Sequence, residues 1–520
     1  MHCPSKLYTT WEDVERGILL PLQQLEHVTL SDNVCPLSPQ PPPPTTPPSS
    51  LPHYDAYVQW CSKTSCYVDN GDGVLNTLRY LYYHMRCGIF VAVRQNKVVM
   101  FCPFANADYR NTWSHKLVFA PGSADAYNTD KATRTRKPKE VYLPVEKWWL
   151  NAGILCNVMP ENVWGNFHCA ELLDMIQCAC AEMAVPSCNF FINKRDYPQL
   201  KRDVTEPYML FTGQHFLERE RYVSFAPIFS FYTGTAFADF PIPLPEDWKL
   251  AREYAVDGVD EKDDDDEAWL AAQPVAVFRG TATGNGISTS TNIRLRLIME
   301  SLKSYCVDLL DCKLVGYNFR DKVIRATEET MVVEYLDPKV ESLPRLVPFM
   351  SLHEQIARYK YIIYADGHCA SSRYGSLMAS KRTILKIQTE HEEDGGNLWL
   401  MYDLVPAIIS QVEGVEPNVP LKADHFLIYN DLSNLACTVE FLKGNDACAR
   451  MVALNAYRKK PSRDALLRCW KTCMETVHKL QANAKSKGTP KGKMWYSPYD
   501  PRYAKIGNTA WRNVFTSGSM

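Results

Sequence analysis

The chain has 520 residues, of which 46% are hydrophobic, so it is long enough for two or three folded domains with buried cores. Its 57 basic and 59 acidic residues nearly balance, which excludes a general attraction to nucleic acid or to an anionic membrane. The start is not typical of a secretory signal and no run of 18 apolar residues occurs, so we expect a cytoplasmic protein without a membrane span.

The first 150 residues are predicted to form three segments. Residues 1–35 contain at most one short helix, and residues 36–52 form a proline-rich linker, with recognition by proline-binding domains as the alternative. Residues 53–150 predict a small α+β module, because strand-like runs such as GIFVAVRQNKVVMFCPF are followed by an aromatic-rich loop. Four side chains of that loop either contact a ligand or pack onto neighbours: Asn106, Tyr109, Asn111 and Trp113.

A first α/β lobe is predicted over residues 151–256, and it begins with the helical pattern FHCAELLDMIQCACAEM. This helix carries four residue types that bind zinc: His168, Cys169, Cys178 and Cys180. The segment has no CxxC pair and its apolar spacing suits a packed helix, so buried thiols are favoured over a zinc site.

The apolar run of residues 188–192 predicts a buried strand, and the polar residues NKRD follow it directly. Ligands of open α/β sheets bind just beyond the carboxyl ends of strands, so Asp196 is a candidate general base. The alternative is that Asp196 forms an ion pair with Arg195 or a nearby lysine in a surface turn.

Residues 257–270 are rich in aspartate and predict an acidic linker between two lobes. The run contains DxD, a pattern with which metal-dependent sugar transferases bind manganese, but four adjacent aspartates match it by chance.

The stretch VFRGTATGNGISTSTNIRLRL predicts a strand, a loop of small residues and a helix capped by Thr291 or Asn292. Backbone N–H groups at such a helix start, together with arginines, bind anions. The arginines in question are Arg279, Arg294 and Arg296. A generic tight turn is the alternative, since neither the GxxxxGK[ST] nor the GxGxxG spacing is present.

A second strand, turn and helix of the same design follows in YKYIIYADGHCASSRYGSLMASKRTILKI. Its turn contains Gly367, and its helix is predicted to open at Ser371 and Ser372, with Arg373 in the first turn. Residues 271–460 alternate strand and helix patterns and predict a doubly wound parallel sheet, in which both loops meet at one edge. Together they predict a site for a nucleotide diphosphate. Residues 461–520 predict a C-terminal helix and a basic, irregular tail.

Several stretches in the same order resemble glycosyltransferase family 90, which includes protein O-glucosyltransferases and fungal capsule-associated transferases. They are NFFINKRDYP, APIFSFYT, VAVFRGTATG with NIRLRL, YKYIIYADGHCASSR, and DLSNL with GNDACARMVALNA. The resemblance covers about residues 150–460, and the VFRG and TN-x-RL patterns look most similar to members encoded by large double-stranded DNA viruses.

The resemblance implies a GT-B-like α/β architecture, with two Rossmann-like lobes around an interlobe cleft. It implies inverting transfer of a hexose or pentose, glucose or xylose, from a UDP-sugar to a hydroxyl of a protein or glycan, with no obligatory metal or other cofactor. Residues 151–256 would then be the acceptor-side lobe, with Asp196 as the base. The UDP would be held by Arg279, Gly280, Thr281, Thr283, Gly284, Arg294, Arg296, Gly367, Ser371, Ser372 and Arg373.

Two departures from the family pattern matter. The O-glucosyltransferases have an arginine where this chain has Ala282, which is nearer the capsule-type pattern. A signal segment and an ER-retention ending are not seen, which favours the host cytoplasm or a virion over the secretory pathway. The alternatives are a catalytically inactive lectin-like or virion-structural protein with the same fold, and a metal-dependent GT-A transferase.

Overall fold

A computed structural model describes most of the regions that carry the predicted motifs. The described residues are 10–27, 72–85, 87–105, 141–144, 166–194, 198–199, 226–233, 237, 239–256, 266–284, 288–317, 321–326, 330–335, 343–367, 369–388, 402, 404–412 and 415–487. Several predictions lie outside them: the proline-rich linker, the loop with Asn106 and Trp113, the acidic residues 257–265, the basic tail and Asp196.

The elements of the first half alternate between short helices and strands. In chain order they are α1 (Trp11–Val14), which continues through a π-helical turn (Glu15–Leu19) into α2 (Leu20–His27), α3 (Asp72–Arg79) with a second π-helical turn (Tyr80–Met85), β1 (Cys87–Arg94), β2 (Lys97–Ala105), β3 (Val141–Pro144), α4 (Asn166–Glu182), β4 (Cys188–Ile192), β5 (Ile228–Ser230), β6 (Phe240–Pro241), α5 (Pro245–Val256) and α6 (Asp266–Ala271).

The second half contains the longer run of alternating strands and helices. In chain order it comprises β7 (Gln273–Ala282), α7 (Ile293–Ser301), a 3-10 turn (Ser304–Cys306), β8 (Leu310–Tyr317), β9 (Asp321–Ala326), β10 (Thr330–Tyr335), α8 (Leu352–Arg358), β11 (Tyr359–Tyr364), α9 (Tyr374–Met378), β12 (Thr383–Ile387), β13 (Pro406–Ala407), β14 (His425–Ile428), α10 (Leu435–Gly444), α11 (Asp446–Arg458) and α12 (Arg463–Lys487).

Within the part of the chain that the structure describes, the first sheet has five strands in the order β2-β1-β4-β5-β6. β1 runs antiparallel to both β2 and β4, whereas β4, β5 and β6 are parallel to one another. The predicted boundary at residue 150 therefore does not separate two sheets, because β1 of the predicted N-terminal module pairs directly with β4 of the predicted lobe. Strand-like patterns reveal where strands lie, but not which strand pairs with which.

The parallel sheet has six strands in the order β13-β14-β12-β11-β7-β8, and all of its pairs are parallel. The predicted α/β class is confirmed, and the winding direction reverses between β7 and β11. Side chains from both faces of this sheet are buried: Val277 belongs to one core, and Ala276 and Phe278 belong to the other. Burial on both faces explains the continuous apolar runs in these strands.

A third, three-stranded sheet has the order β3-β10-β9 and is antiparallel. Residues 271–460 predict one parallel sheet, but within them β9 and β10 belong to this antiparallel sheet instead. β3 comes from residues 141–144, so the predicted N-terminal module also pairs with a segment of residues 271–460.

Two predicted boundaries shift because tertiary contacts extend the regular elements. Residues 266–270 of the predicted acidic linker are helical in α6, where Trp269 is buried and donates a hydrogen bond to Asp446 at 2.9 Å. Likewise β7 continues through Arg279 to Ala282, which were predicted to begin a loop, because these residues pair with β8.

The C-terminal helix α12 returns to the first sheet. The indole of Trp470 is fully buried, with its ring centroid 6.2 Å from that of Phe190 and 5.9 Å from that of Phe229. The helix predicted within residues 461–520 is therefore part of the core of the first sheet. Within the described residues, no helix combines the length and apolar character needed to cross a bilayer.

Candidate functional site

The loops that follow β7 and β11 meet at the point where the winding of the parallel sheet reverses. Gly284 has a φ of 102°, a conformation that glycine adopts readily. A Cβ atom added to Gly284 would lie only 3.1 Å from the carbonyl oxygen of Gly367. Glycine at position 284 therefore permits close contact between the two loops, at the position where open α/β sheets bind ligands.

The side chain of Arg294 joins the two loops. Its Nε donates to the carbonyl oxygen of Asp366 and its Nη2 to that of Ala365, both at 2.9 Å. On the side of the first loop, Nη1 donates to the carbonyl oxygen of Thr281 at the end of β7 at 2.9 Å, and to Oγ1 of Thr283 in the loop at 2.6 Å. Arg294 is buried, so these bonds fix the relative position of the loops away from solvent.

The helix that carries Arg294 begins as predicted after a polar cap, and the cap is Asn292. Its Oδ1 accepts hydrogen bonds from the backbone N–H groups of Arg294 and Leu295, each at 3.1 Å. Its Nδ2 donates to the carbonyl oxygen of Thr283 at 3.1 Å. Because the cap occupies these two N–H groups, a bound anion would depend mainly on the arginines and the loop.

Arg373 lies close to Arg294 and adds a second positive charge. Its Nη1 donates to the carbonyl oxygen of Arg279 at 3.3 Å. Burial, together with the nearby Arg373, lowers the pKa of Arg294 to about 10, and burial also lowers the pKa of Arg373. Arg373 occupies the cap position before α9 rather than its predicted place in the first turn. The two guanidinium groups make this edge of the sheet favourable for an anion.

Arg279 and Arg296 do not join this pair. The guanidinium of Arg279 is buried against β8, with Nη2 2.7 Å from Oδ2 of Asp311. Burial would raise the pKa of Asp311, but hydrogen bonds from Arg279, Tyr359 and Lys313 outweigh it and lower that pKa to about 2. Arg296 instead donates to Oδ1 of Asn430 at 3.2 Å. The predicted arginine set is therefore reduced to Arg294 and Arg373 at the two loops.

The other predicted residues of this site line the strand end and the second loop. Gly280 lies against the ring of Phe278, and Gly367 donates its N–H to the carbonyl oxygen of Cys369 at 2.9 Å. Ser371 donates its backbone N–H to the hydroxyl oxygen of Tyr364 at 2.6 Å, and that hydroxyl donates to the carbonyl oxygen of Ser371 at 3.0 Å. Ser372 is half-buried between Ser371 and Arg373.

The predicted base Asp196 lies outside the described residues, as do Arg195 and Tyr197, but the structure describes the chain up to Lys194 and again at Pro198 and Gln199. Nδ2 of Asn193 donates to Oγ of Ser230 at 3.0 Å, and that hydroxyl donates to Oδ2 of Asp239 at 2.6 Å. The same carboxylate oxygen accepts the backbone N–H of Gln199 at 2.9 Å. Sequence reasoning missed Asp239, because it directly precedes the short strand β6, whereas Asp196 was singled out for following a strand.

A second carboxyl group missed from the sequence lies between the two sheets. Asp247 of α5 is buried, accepts a hydrogen bond from the hydroxyl of Tyr402 and touches Gly375 at the start of α9. Burial raises the pKa of Asp247 to about 7, although the hydrogen bond from Tyr402 acts in the opposite direction. Its sequence context, PLPEDW, is that of an ordinary acidic helix start, so no local signal marked it.

The alternative zinc site on α4 is not formed. His168 and Cys169 precede Cys178 and Cys180 by about ten residues, which separates them by about 15 Å along one helix. Across the described part of the chain, no three His, Cys, Asp or Glu side chains are arranged to hold a metal ion. Burial raises the pKa of Cys180 to about 11, as expected for a thiol in a core.

No protein-family model matches the chain. It is similar to uncharacterized protein 179R of Invertebrate iridescent virus 6, with 28% identity over 457 residues, covering 76% of the chain and 36% of that protein. Uncharacterized protein 035R of Invertebrate iridescent virus 3 is 28% identical over 74% of the chain and 34% of its own length. Uncharacterized protein 027R of Frog virus 3 (isolate Goorha) is 26% identical over 74% of the chain and 40% of its own length. The chain thus spans roughly 34 to 40% of these relatives, and the predicted similarity to viral proteins is confirmed.

Proposed function

We propose that the chain is an inverting glycosyltransferase of the family 90 type, with two lobes in a GT-B-like arrangement. It would transfer a hexose or pentose from a UDP-sugar to a hydroxyl of a protein or glycan. The diphosphate would lie at the loops after β7 and β11, and Asp196 would remove the proton from the attacking hydroxyl.

The observation that carries the proposal is the junction of these two loops at the reversal point of the parallel sheet. Arg294 bonds to two backbone oxygens of the second loop, to the hydroxyl of Thr283 in the first loop and to the carbonyl oxygen of Thr281 at the end of β7. Arg373 bonds to the carbonyl oxygen of Arg279. A diphosphate leaving group gains negative charge as the sugar departs, so preorganised cations at this position would lower the barrier. Arg294 would then hold the two loops in position, and Arg373 would contact the phosphate.

The role of Asp196 rests on the resemblance and on its place in the chain. It follows the buried strand β4 by four residues, and β4 is a central strand of the first sheet. Inverting displacement needs a base on the face of the sugar opposite to the leaving diphosphate. A carboxylate on the first sheet would act as the base, and the cations on the parallel sheet would stabilise the leaving diphosphate.

The direct test is a thermal-shift panel of UDP-sugars followed by an assay for released UDP. We expect the donor to raise the melting temperature, because a ligand that binds only the folded state adds to its stability. Asp196→Asn should abolish UDP release while UDP still binds, and Asp203→Asn, the same change seven residues further along the chain, should leave release within about twofold.

Three outcomes of this test would contradict the proposal. Failure of UDP and of every common UDP-sugar to bind would exclude a donor site. Binding without turnover in the unmutated protein would favour the catalytically inactive lectin-like or virion-structural alternative. Loss of activity on adding EDTA would favour a metal-dependent mechanism.

A further inference from the structure

Asp247 lies on the boundary between the first sheet and the loop that carries Arg373. The helix α5 packs on α4 and α12 of the first sheet, and on α9, which begins directly after Arg373. One oxygen of the Asp247 carboxyl group accepts the hydroxyl of Tyr402, and the other lies against Gly375. A Cβ atom at Gly375 would overlap that oxygen, so a glycine is required for this contact.

A continuous set of tyrosines connects Asp247 to the Arg373 loop. The ring of Tyr402 stacks on Tyr374 with centroids 5.7 Å apart, and Tyr374 meets the ring of Tyr364 edge-on at 4.9 Å. The hydroxyl of Tyr364 bonds to both the N–H and the carbonyl oxygen of Ser371. Arg373 lies between Ser371, which Tyr364 bonds, and Tyr374, which belongs to this set, so the chain is held on both sides of Arg373.

We propose that Asp247 is a positioning residue for Arg373, and that its neutral carboxyl group is the form that holds the Arg373 loop in place for an anionic ligand. The inference rests on the proposed function, because it assigns a proton dependence to the same phosphate site. It places control of that site on a side chain of α5, a helix that packs on α4 and α12 beside the first sheet.

The direction of the effect follows from the surroundings of the carboxyl group. Its titratable neighbours are Tyr402, and Glu246 on the same helix; Tyr232 and Tyr364 surround Tyr402. Burial raises the pKa of Asp247 to about 7, Tyr402 opposes this rise and Glu246 adds to it. Above that pH the carboxylate must remain buried as a charge or become hydrated by opening the contact with α9. The Arg373 loop then loses its support.

The test is the affinity for UDP, measured by calorimetry at pH 6 and pH 8.5. If only the neutral form supports Arg373, linkage predicts that ionisation of Asp247 weakens UDP binding by about 30-fold at pH 8.5. Asp247→Asn is neutral at both pH values, so that loss should be absent in this variant. Any change in affinity that comes from the titration of UDP itself is the same in both proteins and cancels in the comparison. Asp174→Asn is the matched control, because Asp174 bonds to Trp248 and Arg252 of α5, whereas Asp247 bonds to Tyr402, so this variant should follow the unmutated protein.

A second variant keeps the inference testable if Asp247→Asn does not fold. Tyr402→Phe removes a hydrogen bond that favours the ionised carboxyl group, so the loss of UDP affinity should move to higher pH. The inference would be overturned if UDP affinity had the same pH dependence in the unmutated protein and in Asp247→Asn. It would also be overturned if Tyr402→Phe lost UDP affinity at the same midpoint pH as the unmutated protein.

Hydrogen exchange separates this inference from the proposed function. At pH 8.5, amides of residues 369–378 should exchange at least about threefold faster in the unmutated protein than in Asp247→Asn, since ionisation opens the contact with α9. If neither protein binds UDP but this difference is present, the proposed donor is wrong and the coupling of Asp247 to the loop stands. Equal exchange in the two proteins would overturn the coupling itself.

Discussion

At the scale of single residues, Arg294 and Arg373 differ in what surrounds them. Arg294 is buried and donates to three backbone carbonyl groups and a hydroxyl, whereas Arg373 is half-buried and makes one long hydrogen bond to the carbonyl oxygen of Arg279. A guanidinium whose hydrogen bonds are satisfied by the protein acts mainly on structure. A guanidinium whose N–H donors are not all used by the protein is better suited to contact a ligand.

This difference predicts opposite effects of two substitutions. Arg294→Met leaves carbonyl groups of Thr281, Ala365 and Asp366 without their buried donor, so the free energy of unfolding should fall by about 3 kcal/mol or more. Arg373→Ala should change that free energy by about 1 kcal/mol or less, but weaken UDP binding by roughly 1.5 to 3 kcal/mol. Urea denaturation and calorimetric titration measure the two quantities. Unchanged UDP affinity in Arg373→Ala would show that the phosphate site is misplaced.

At the scale of elements, the β1–β2 hairpin shows how local backbone geometry sets a strand pair. Its two turn residues, Gln95 and Asn96, have φ values of 49° and 59°, as in the two-residue turns that match the twist of antiparallel strands. Asparagine tolerates this conformation and glutamine does so less well. The hairpin in turn supplies the β1 edge on which β4 pairs.

Optimising this turn should stabilise the first sheet. Replacing Gln95 by Asn and Asn96 by Gly should raise the free energy of unfolding by up to about 1 kcal/mol, because these residues adopt positive φ at lower cost. Gln95→Val, with a β-branched side chain at the same position, should lower it by about 1 kcal/mol. Both changes are measured by urea denaturation, and a stabilising effect of Gln95→Val would contradict the turn geometry.

At the scale of the whole molecule, the chain crosses between its two main sheets more than once. It begins in the first sheet, builds the parallel sheet, and returns through α12, whose Trp470 is fully buried beside Phe190 and Phe229. One hydrophobic core includes residues of the first sheet together with Val277, Ile362 and Ile384 from one face of the parallel sheet. Residues far apart in the chain therefore stabilise the same core.

The return of α12 predicts a large effect at Trp470. Trp470→Ala should lower the free energy of unfolding by about 3 to 5 kcal/mol, since it removes a fully buried indole and leaves a cavity. Leu421→Ala is the surface comparison, because Leu421 is 83% exposed, and its effect should be within about 0.5 kcal/mol. A small effect at Trp470 would mean that α12 is not needed by the first sheet.

The sequence by itself determined the α/β class, the buried strand β4, a helix capped by Thr291 or Asn292, and two similar loops that meet at one edge of the parallel sheet. These features depend on local patterns, namely apolar runs, cap residues and small residues at a strand end. Only the tertiary structure decided that Arg279 pairs with Asp311, that β1 joins β4 in one sheet, and that Asp247 meets Tyr402 and Gly375. Each of these contacts joins residues at least 32 positions apart, so their identity depends on how the sheets and helices pack, and no local pattern specifies it.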